Sequence, residues 1–131
     1  MGTKILLVDD SLTMLKILKK SAQMVIKDVE IFEAENGQEA LDILEKNSDV
    51  VLILLDVNMP VMNGMEFLKT MRADDRFKDI KVIMQTTECG DEQIKKILAL
   101  GVSGYLIKPY QTKVAQELMV KMAPSVGYEL K

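Results

Sequence analysis

The sequence predicts an α/β fold of the doubly wound (βα)5 type, in which a sheet of five parallel strands lies between two layers of helices. Short apolar runs alternate with longer stretches in which apolar residues recur every three or four positions, so the pattern switches repeatedly between strand and helix. The predicted strands begin near residues 4, 29, 50, 80 and 104. These intervals leave room for a helical crossover after each strand, as parallel pairing requires.

The predicted strands fall into two kinds. Continuous apolar runs suit strands that are covered on both faces, and these runs are Ile5–Val8, Val50–Leu55, Val82–Met84 and Tyr105–Ile107. The run from Val29 to Ala34 instead contains Glu30 and Glu33. Charged residues within a strand favour a position at the edge of a sheet.

Helical spacing is found after each strand. Its apolar positions are Leu12, Leu15, Leu18, Ala22 and Ile26, then Leu41 and Leu44, then Met65, Leu68 and Met71, then Ile94, Ile97, Leu98 and Gly101, and finally Val114, Leu118 and Met122. Residues 1–123 are expected to form one domain, followed by a short tail at 124–131. The stretch 123–131 is interpreted as a frayed end in preference to a short extension that binds a partner.

The composition excludes several classes of function. The chain has 131 residues with 17 Lys and Arg against 20 Asp and Glu, so there is no basic excess to attract nucleic acid. It contains no His, which removes His-based triads, His metal sites and phosphohistidine carriers. With Cys89 as the one cysteine no intramolecular disulfide can form, and no apolar run is long enough to span a membrane. A cytoplasmic, monomeric protein is therefore expected.

Polar residues follow the predicted strands at the point where each strand ends. Because parallel strands bring their carboxyl ends to one edge, ligands bind in a crevice at that edge. The residues gathered there are Asp9 and Asp10 after the first strand, Asp56 after the third, Gln85, Thr86 and Thr87 after the fourth, and Lys108 after the fifth.

Three carboxylates this close together need a cation among them, since like charges at such distances repel strongly. Their hard oxygen atoms favour Mg²⁺, which proteins hold with one or two carboxylates plus phosphate oxygens. Lys108 adds a second positive charge. An aspartate, a hydroxyl, a divalent cation and a lysine form a set that can hold a phosphoryl group during transfer.

These motifs resemble the receiver domain of two-component response regulators, most of all the single-domain chemotaxis members. The resemblance covers about residues 3–122 and rests on motifs that occur in the family's order. The motifs are Asp9-Asp10, Asp56 followed by Val57-Asn58-Met59-Pro60, Thr86, Ser103-Gly104-Tyr105 and Lys108-Pro109. The family's fold is flavodoxin-like, which implies the strand order 2-1-3-4-5.

The resemblance implies that Asp56 accepts a phosphoryl group as an acyl phosphate. It also implies that Asp10 binds Mg²⁺ directly, that Asp9 helps through water, and that Asn58 contributes its backbone carbonyl. Two of these residues have alternative roles. Asp56 could instead cap the following loop, and Asp10 could cap the first helix, a role that Ser11 could share.

The same resemblance assigns the residues that respond to the phosphoryl group. Lys108, before a proline whose peptide bond is cis in the family, would pair with the phosphoryl oxygens. Thr86 would hydrogen-bond to the phosphoryl group and move its loop inward, and Tyr105 would turn inward with it. Thr86 is chosen over Thr87 because its spacing to Lys108 fits the family. Ordinary strand packing is the alternative for Thr86 and Tyr105.

Several further residues are expected to modify this behaviour. By resemblance Asn58 and Glu88 tune how fast the acyl phosphate hydrolyses, with solvated loop residues as the alternative. Gln85 and Thr87 depart from the family's usual residues, so packing beneath the fourth helix and access to Asp56 are expected to differ. Cys89 is more simply explained as a bystander than as a redox group.

The implied partners are a histidine kinase as phosphodonor and a protein target such as a flagellar motor switch component, bound at about Asp91–Met122. No catalytic enzyme activity is expected. Two rival hypotheses remain, a phosphorelay or non-motility receiver and a small Mg²⁺-dependent phosphohydrolase, although such hydrolases carry an acid where this chain has Asn58. A flavodoxin-like cofactor carrier is disfavoured because no glycine-rich phosphate loop follows the first strand.

Overall fold

The fold is described here from a computed structural model, which describes residues 2–87 and 90–131. The roles predicted for Glu88 and Cys89 lie outside these residues. The strands are β1 (Thr3–Val8), β2 (Val29–Ala34), β3 (Leu52–Asp56), β4 (Lys81–Thr86) and β5 (Gly104–Ile107). The α-helices are α1 (Leu12–Val25), α2 (Gly37–Lys46), α3 (Gly64–Arg72), α4 (Asp91–Ala99) and α5 (Thr112–Val126), and a short 3-10 helix spans Asp75–Phe77.

The five strands form one parallel sheet in the order β2-β1-β3-β4-β5, which confirms the predicted topology. β2 lies at one edge, as its acidic residues predict. The register pairs Val8 with Leu55 and Asp56 with Gln85. The ends of β1, β3 and β4 therefore lie side by side at one edge of the sheet.

Two apolar cores cover the faces of the sheet because strand side chains alternate between them. One core joins the sheet to α2, α3 and α4 and is built on Val8, Leu55 and Met84 together with Phe67. The other joins it to α1 and α5 and is built on residues such as Leu7, Leu54, Ile83, Leu106, Leu15 and Met119. In the described part of the chain, no helix is both long and apolar enough to cross a bilayer.

Side-chain caps fix where three of the helices begin. Ser11, Asn36 and Asn63 each accept a hydrogen bond from a backbone N–H of the first turn of α1, α2 and α3 respectively. Asn63 and Glu66 bond reciprocally as a capping box. Each cap satisfies a backbone donor that the helix leaves unpaired, which is worth about 1 kcal/mol.

β5 is the second edge strand, and the prediction that both of its faces are covered is wrong. Its central residue Leu106 is buried, but Tyr105 is 39% exposed and Ile107 is 38% exposed. Only the face that packs against α1 and α5 is fully closed. An apolar run cannot by itself distinguish a central strand from an edge strand with an exposed apolar face.

The stripe that the last helix buries agrees only in part with the one that the spacing indicates. α5 packs through Ala115, Met119 and Met122, whereas Val114 is 44% exposed. Leu118 packs partly against the same core, so the buried side of the helix includes two of the three residues that the spacing indicates. The helix and the burial of Met122 are confirmed, and the prediction is wrong for Val114.

The expectation of a frayed carboxyl end is also wrong. Gly127, with φ 98°, ends α5 in the left-handed conformation that glycine adopts readily. Tyr128 is then buried and its hydroxyl donates to the carbonyl of Met119. Leu130 forms an antiparallel bridge with Ile26, so the final residues pack against the end of α1.

Candidate functional site

One face of the sheet becomes polar at its carboxyl edge. The apolar positions Leu7, Leu54, Ile83 and Leu106 all contribute to the core under α1 and α5. The residue two positions after each of these apolar residues is polar, and strand alternation directs its side chain to the same face. These side chains are Asp9, Asp56, Gln85 and Lys108.

The three predicted carboxylates lie together, with one oxygen from each of Asp9, Asp10 and Asp56 within 4.8 Å of the others. Asp9 and Asp56 are buried, whereas Asp10 is exposed. The helix-cap role considered for Asp10 belongs to Ser11, whose hydroxyl accepts from Met14 N–H at 3.2 Å. Asp10 is therefore not the cap of α1, while its carboxylate faces solvent beside the two buried ones.

Lys108 follows β5, and its side chain extends across the end of β4 to reach this cluster. Its Nζ lies 3.1 Å from Oδ2 of Asp9 and 3.3 Å from Oδ2 of Asp56. Its backbone N–H donates to the carbonyl of Thr86 at 2.7 Å, which fixes the start of the loop after β5. The Lys108–Pro109 peptide bond is cis. The ammonium group thus lies between two carboxylates that would otherwise repel each other.

The environment of Asp56 raises the pKa of its carboxyl above the ordinary value. Burial is the largest cause, and the negative charge of Asp9 adds to it. Lys108 and a hydrogen bond from the backbone N–H of Asn58 act in the opposite direction. The charge of Lys108 and the backbone N–H of Asn58 therefore offset part of the increase in the pKa of Asp56.

Gly64 allows the loop after Asp56 to fold back tightly. A Cβ at this position would lie 2.2 Å from the carbonyl oxygen of Asp56, so no larger residue fits without displacing the backbone. The N–H of Gly64 donates to the carbonyl of Val57 at 2.9 Å. The sequence indicates Gly64 only as a helix boundary, but its closest contact is with the backbone of the acceptor residue.

The two predicted switch residues lie on the opposite face of the sheet. Thr86 continues the positions of Val82 and Met84, and its side chain is buried. Tyr105 lies on the same face of β5, paired in register with Met84. Thr86 therefore ends its strand at the edge that carries Asp56, but alternation places its side chain on the other face from Lys108.

Gln85 lies beside Asp56 and not beneath α4. The sequence interpretation expects an effect on packing beneath α4 and on access to Asp56, and the side chain points to the face of α1 and α5, beside Asp56. It is fully buried, and its Oε1 accepts a hydrogen bond from the hydroxyl of Tyr110. No motif in the sequence indicates Tyr110 as a site residue. The sequence signal is Gln85 itself, because a buried polar side chain in an apolar strand requires a hydrogen-bond partner.

The remaining site predictions fall on loops. Asn58 is exposed immediately after the strand, and Thr87 is exposed after β4. Thr87 lines an open cleft with Met14, Lys108, Pro109 and Tyr110. Thr87 therefore shares an exposed cleft with Lys108, the cation of the site.

The sequence matches the family model of the response regulator receiver domain over residues 5–120. It is 43% identical over 114 residues to the chemotaxis protein CheY homolog of Campylobacter jejuni, covering 87% of both chains. Two solved structures are also similar. CheY4 of Vibrio cholerae superimposes with a TM-score of 0.79 at 33% identity, covering 96% of this chain and 99% of that one. The Mn²⁺-bound response regulator Rcp1 does so with a TM-score of 0.76 at 25% identity, covering 93% and 92%.

A family model that spans most of the chain agrees with the sheet order and with the acidic cluster at its carboxyl edge. Members of this family are signalling proteins rather than metabolic enzymes. The chain belongs to the response regulator receiver domain family and is a CheY-like member of it.

Proposed function

We propose that this response regulator is switched by phosphorylation of Asp56 and acts in chemotaxis signalling. The observation that carries the proposal is the position of the Lys108 ammonium, 3.3 Å from Asp56 and 3.1 Å from Asp9 within a cluster of three carboxylates. A cation held beside a nucleophilic carboxylate is what transfer of a negatively charged phosphoryl group requires.

The chemistry assigned to Asp56 is a direct displacement at phosphorus. An oxygen of the carboxylate forms a bond to phosphorus, and the bond from phosphorus to the donor's leaving group breaks. The charge of Lys108 favours the ionised form of the Asp56 carboxyl, which is the form that attacks phosphorus. Lys108 stabilises the charge on the phosphoryl oxygens as they approach.

The donor set fits Mg²⁺ because it consists of hard carboxylate oxygens with one exposed member. Asp10 and Asp56 would hold the ion directly, Asp9 through water, and Asn58 through its backbone carbonyl. Mg²⁺ bound there would neutralise charge on the incoming phosphoryl oxygens. The Mn²⁺-bound form of Rcp1 supports a divalent cation, and the choice of Mg²⁺ is part of the proposal.

The output is proposed to be protein binding by the surface of α4, β5 and α5. Leu98, Tyr105, Ile107 and Val114 are large apolar residues that are exposed on these elements. We propose that Thr86 and Tyr105 change position after phosphorylation and alter this surface. Asn58 and Glu88 are proposed to set the lifetime of the acyl phosphate.

The proposed partners are a histidine kinase as donor and a flagellar motor switch component as target. The similarity to the chemotaxis protein CheY homolog of C. jejuni supports this pathway. A monomeric state and a cytoplasmic location, expected from the sequence, belong to the same proposal.

The test is the mass of the intact protein after incubation with Mg²⁺ and acetyl phosphate. We expect a gain of one phosphoryl group in the native protein and none when the metal is chelated. No gain in the native protein would overturn the proposal, and repeated turnover of acetyl phosphate without a phosphorylated protein would favour a phosphohydrolase instead.

A further inference from the structure

Gln85 is the neighbour of the acceptor residue in the sheet. It pairs in register with Asp56, and its backbone carbonyl accepts from the N–H of Val57 at 3.0 Å. Its side chain lies on the face that carries Asp56 and Lys108. Gln85 is therefore joined to the end of β3 by a backbone hydrogen bond.

The amide of Gln85 is only half satisfied. Oε1 accepts from Tyr110, but Nε2 is buried and has no hydrogen-bond partner within residues 2–87 and 90–131. A buried donor without a partner lowers the stability of the fold, and an apolar pair of similar shape would avoid that cost. Tyr110 therefore provides the hydrogen bond that the structure shows for this amide.

Tyr110 lies two residues after Lys108, and the two residues are attached to consecutive positions of β4. The N–H of Lys108 donates to the carbonyl of Thr86 at 2.7 Å, and the hydroxyl of Tyr110 donates to Oε1 of Gln85. The first bond fixes the backbone at the start of the loop. The second fixes the loop beyond Pro109, so together they limit where the Lys108 side chain can lie.

We propose that Gln85 is a positioning residue whose hydrogen bond with Tyr110 holds segment 108–110 against β4 and so places the Lys108 ammonium beside Asp56. This inference rests on the proposed function of Asp56. A displacement of the ammonium by about 1 Å would weaken its contact with the phosphoryl oxygens and slow transfer by as much as a hundredfold.

The test compares Gln85→Leu, Tyr110→Phe and the double variant by the rate at which each gains a phosphoryl group from acetyl phosphate. Each is expected to react about tenfold more slowly than the native protein. The double variant is expected to be no slower than the single ones, because all three remove the same bond. Mg²⁺ affinity, measured by calorimetry, is expected to stay unchanged because the three carboxylates remain.

Tyr128→Phe is the matched control, since it removes a buried phenol hydroxyl that donates to the carbonyl of Met119 near the other end of α5. Its phosphorylation rate is expected to equal that of the native protein. The double variant replaces both polar partners by apolar groups, so it is expected to melt no lower than the native protein, even where Tyr110→Phe alone folds poorly.

Three results would overturn the inference while the native protein is phosphorylated normally. The first is an unchanged rate in the double variant, and the second is a loss of Mg²⁺ affinity that accompanies the loss of rate in the variants. The third is a loss of rate in the double variant that equals the product of the losses in the two single variants. A native protein that gains no phosphoryl group would instead overturn the proposed function, and this inference with it.

Discussion

The ammonium nitrogen of Lys108 lies 3.3 Å from Oδ2 of Asp56, at the junction of β3 with the loop after β5. The lysine side chain is 21% exposed and that of Asp56 is 7% exposed, so the pair is shielded from solvent. Shielding strengthens the attraction and also makes either charge costly when its partner is absent. The acceptor and its cation therefore depend on each other both for chemistry and for stability.

Replacing Lys108 with methionine keeps the length of the side chain and removes its charge. We expect the rate of phosphoryl gain at Asp56 to fall by about 10²-fold, because the charge on the transferring oxygens loses its fixed cation. Rapid-quench mass spectrometry with acetyl phosphate measures this rate. Lys113→Met is the matched control, since Lys113 is 79% exposed and forms only a loose pair with Glu117. Equal rates for the two variants would contradict the assigned role.

The raised pKa of Asp56 predicts how stability depends on pH without a divalent cation. In the fold the carboxyl binds its proton more tightly than in the unfolded chain, so the folded state holds more protons above about pH 4. The free energy of unfolding is therefore expected to fall as pH rises from that value through the raised pKa. Urea unfolding across this range measures the effect. Asp56→Asn is expected to lack this decrease, and an identical decrease in the variant would assign it to other groups.

A divalent cation is expected to stabilise the fold by binding the carboxylate cluster. At a hundredfold excess of Mg²⁺ over its Kd, the free energy of unfolding should rise by about 2.7 kcal/mol. Thermal unfolding at several Mg²⁺ concentrations measures this. Asp10→Asn is expected to abolish most of the shift while leaving the metal-free protein folded, because Asp10 is exposed. Glu30→Gln, an exposed site on β2, serves as control, and an equal loss of the shift there would point to non-specific binding.

Val61 is held in a strained conformation three residues before α3. Its φ is 65°, a left-handed value that β-branched residues rarely adopt, and its side chain is 83% exposed. Val61→Asn is therefore expected to raise the free energy of unfolding by about 1 kcal/mol, since asparagine tolerates this region and little packing is lost. Val61→Ile, which keeps the β-branch, is expected to change nothing. A lower melting temperature for Val61→Asn would show that the valine side chain contributes to the fold.

Much of this architecture follows from local rules that act on the sequence. Apolar runs and helical spacing identify the strands and helices, and the shared carboxyl edge brings Asp9, Asp10 and Asp56 together. Other features depend on three-dimensional packing. The exposure of Tyr105 depends on which strand lies at the edge, and the burial of Tyr128 depends on how the chain turns after Gly127.

The position of Gln85 depends on features that the sequence pattern specifies only in part. Strand alternation within β4 already separates Gln85 from Thr86, so the two residues must point to opposite faces. Only the register of β3 with β4 shows that the face of Gln85 is also that of Asp56. The contact with Tyr110 then depends on the path of the loop after β5, which no local pattern encodes.

The central claim is that Asp56 carries the phosphoryl group, and chemical trapping of that residue tests it most directly. Protein treated with acetyl phosphate and Mg²⁺ is reduced with borohydride, which converts an aspartyl phosphate to homoserine, and is then digested and sequenced by mass spectrometry. We predict homoserine at position 56, dependent on both acetyl phosphate and Mg²⁺, with Asp9 and Asp10 unchanged. Homoserine at another aspartate, or an unmodified Asp56 in protein that has gained a phosphoryl group, would contradict the account.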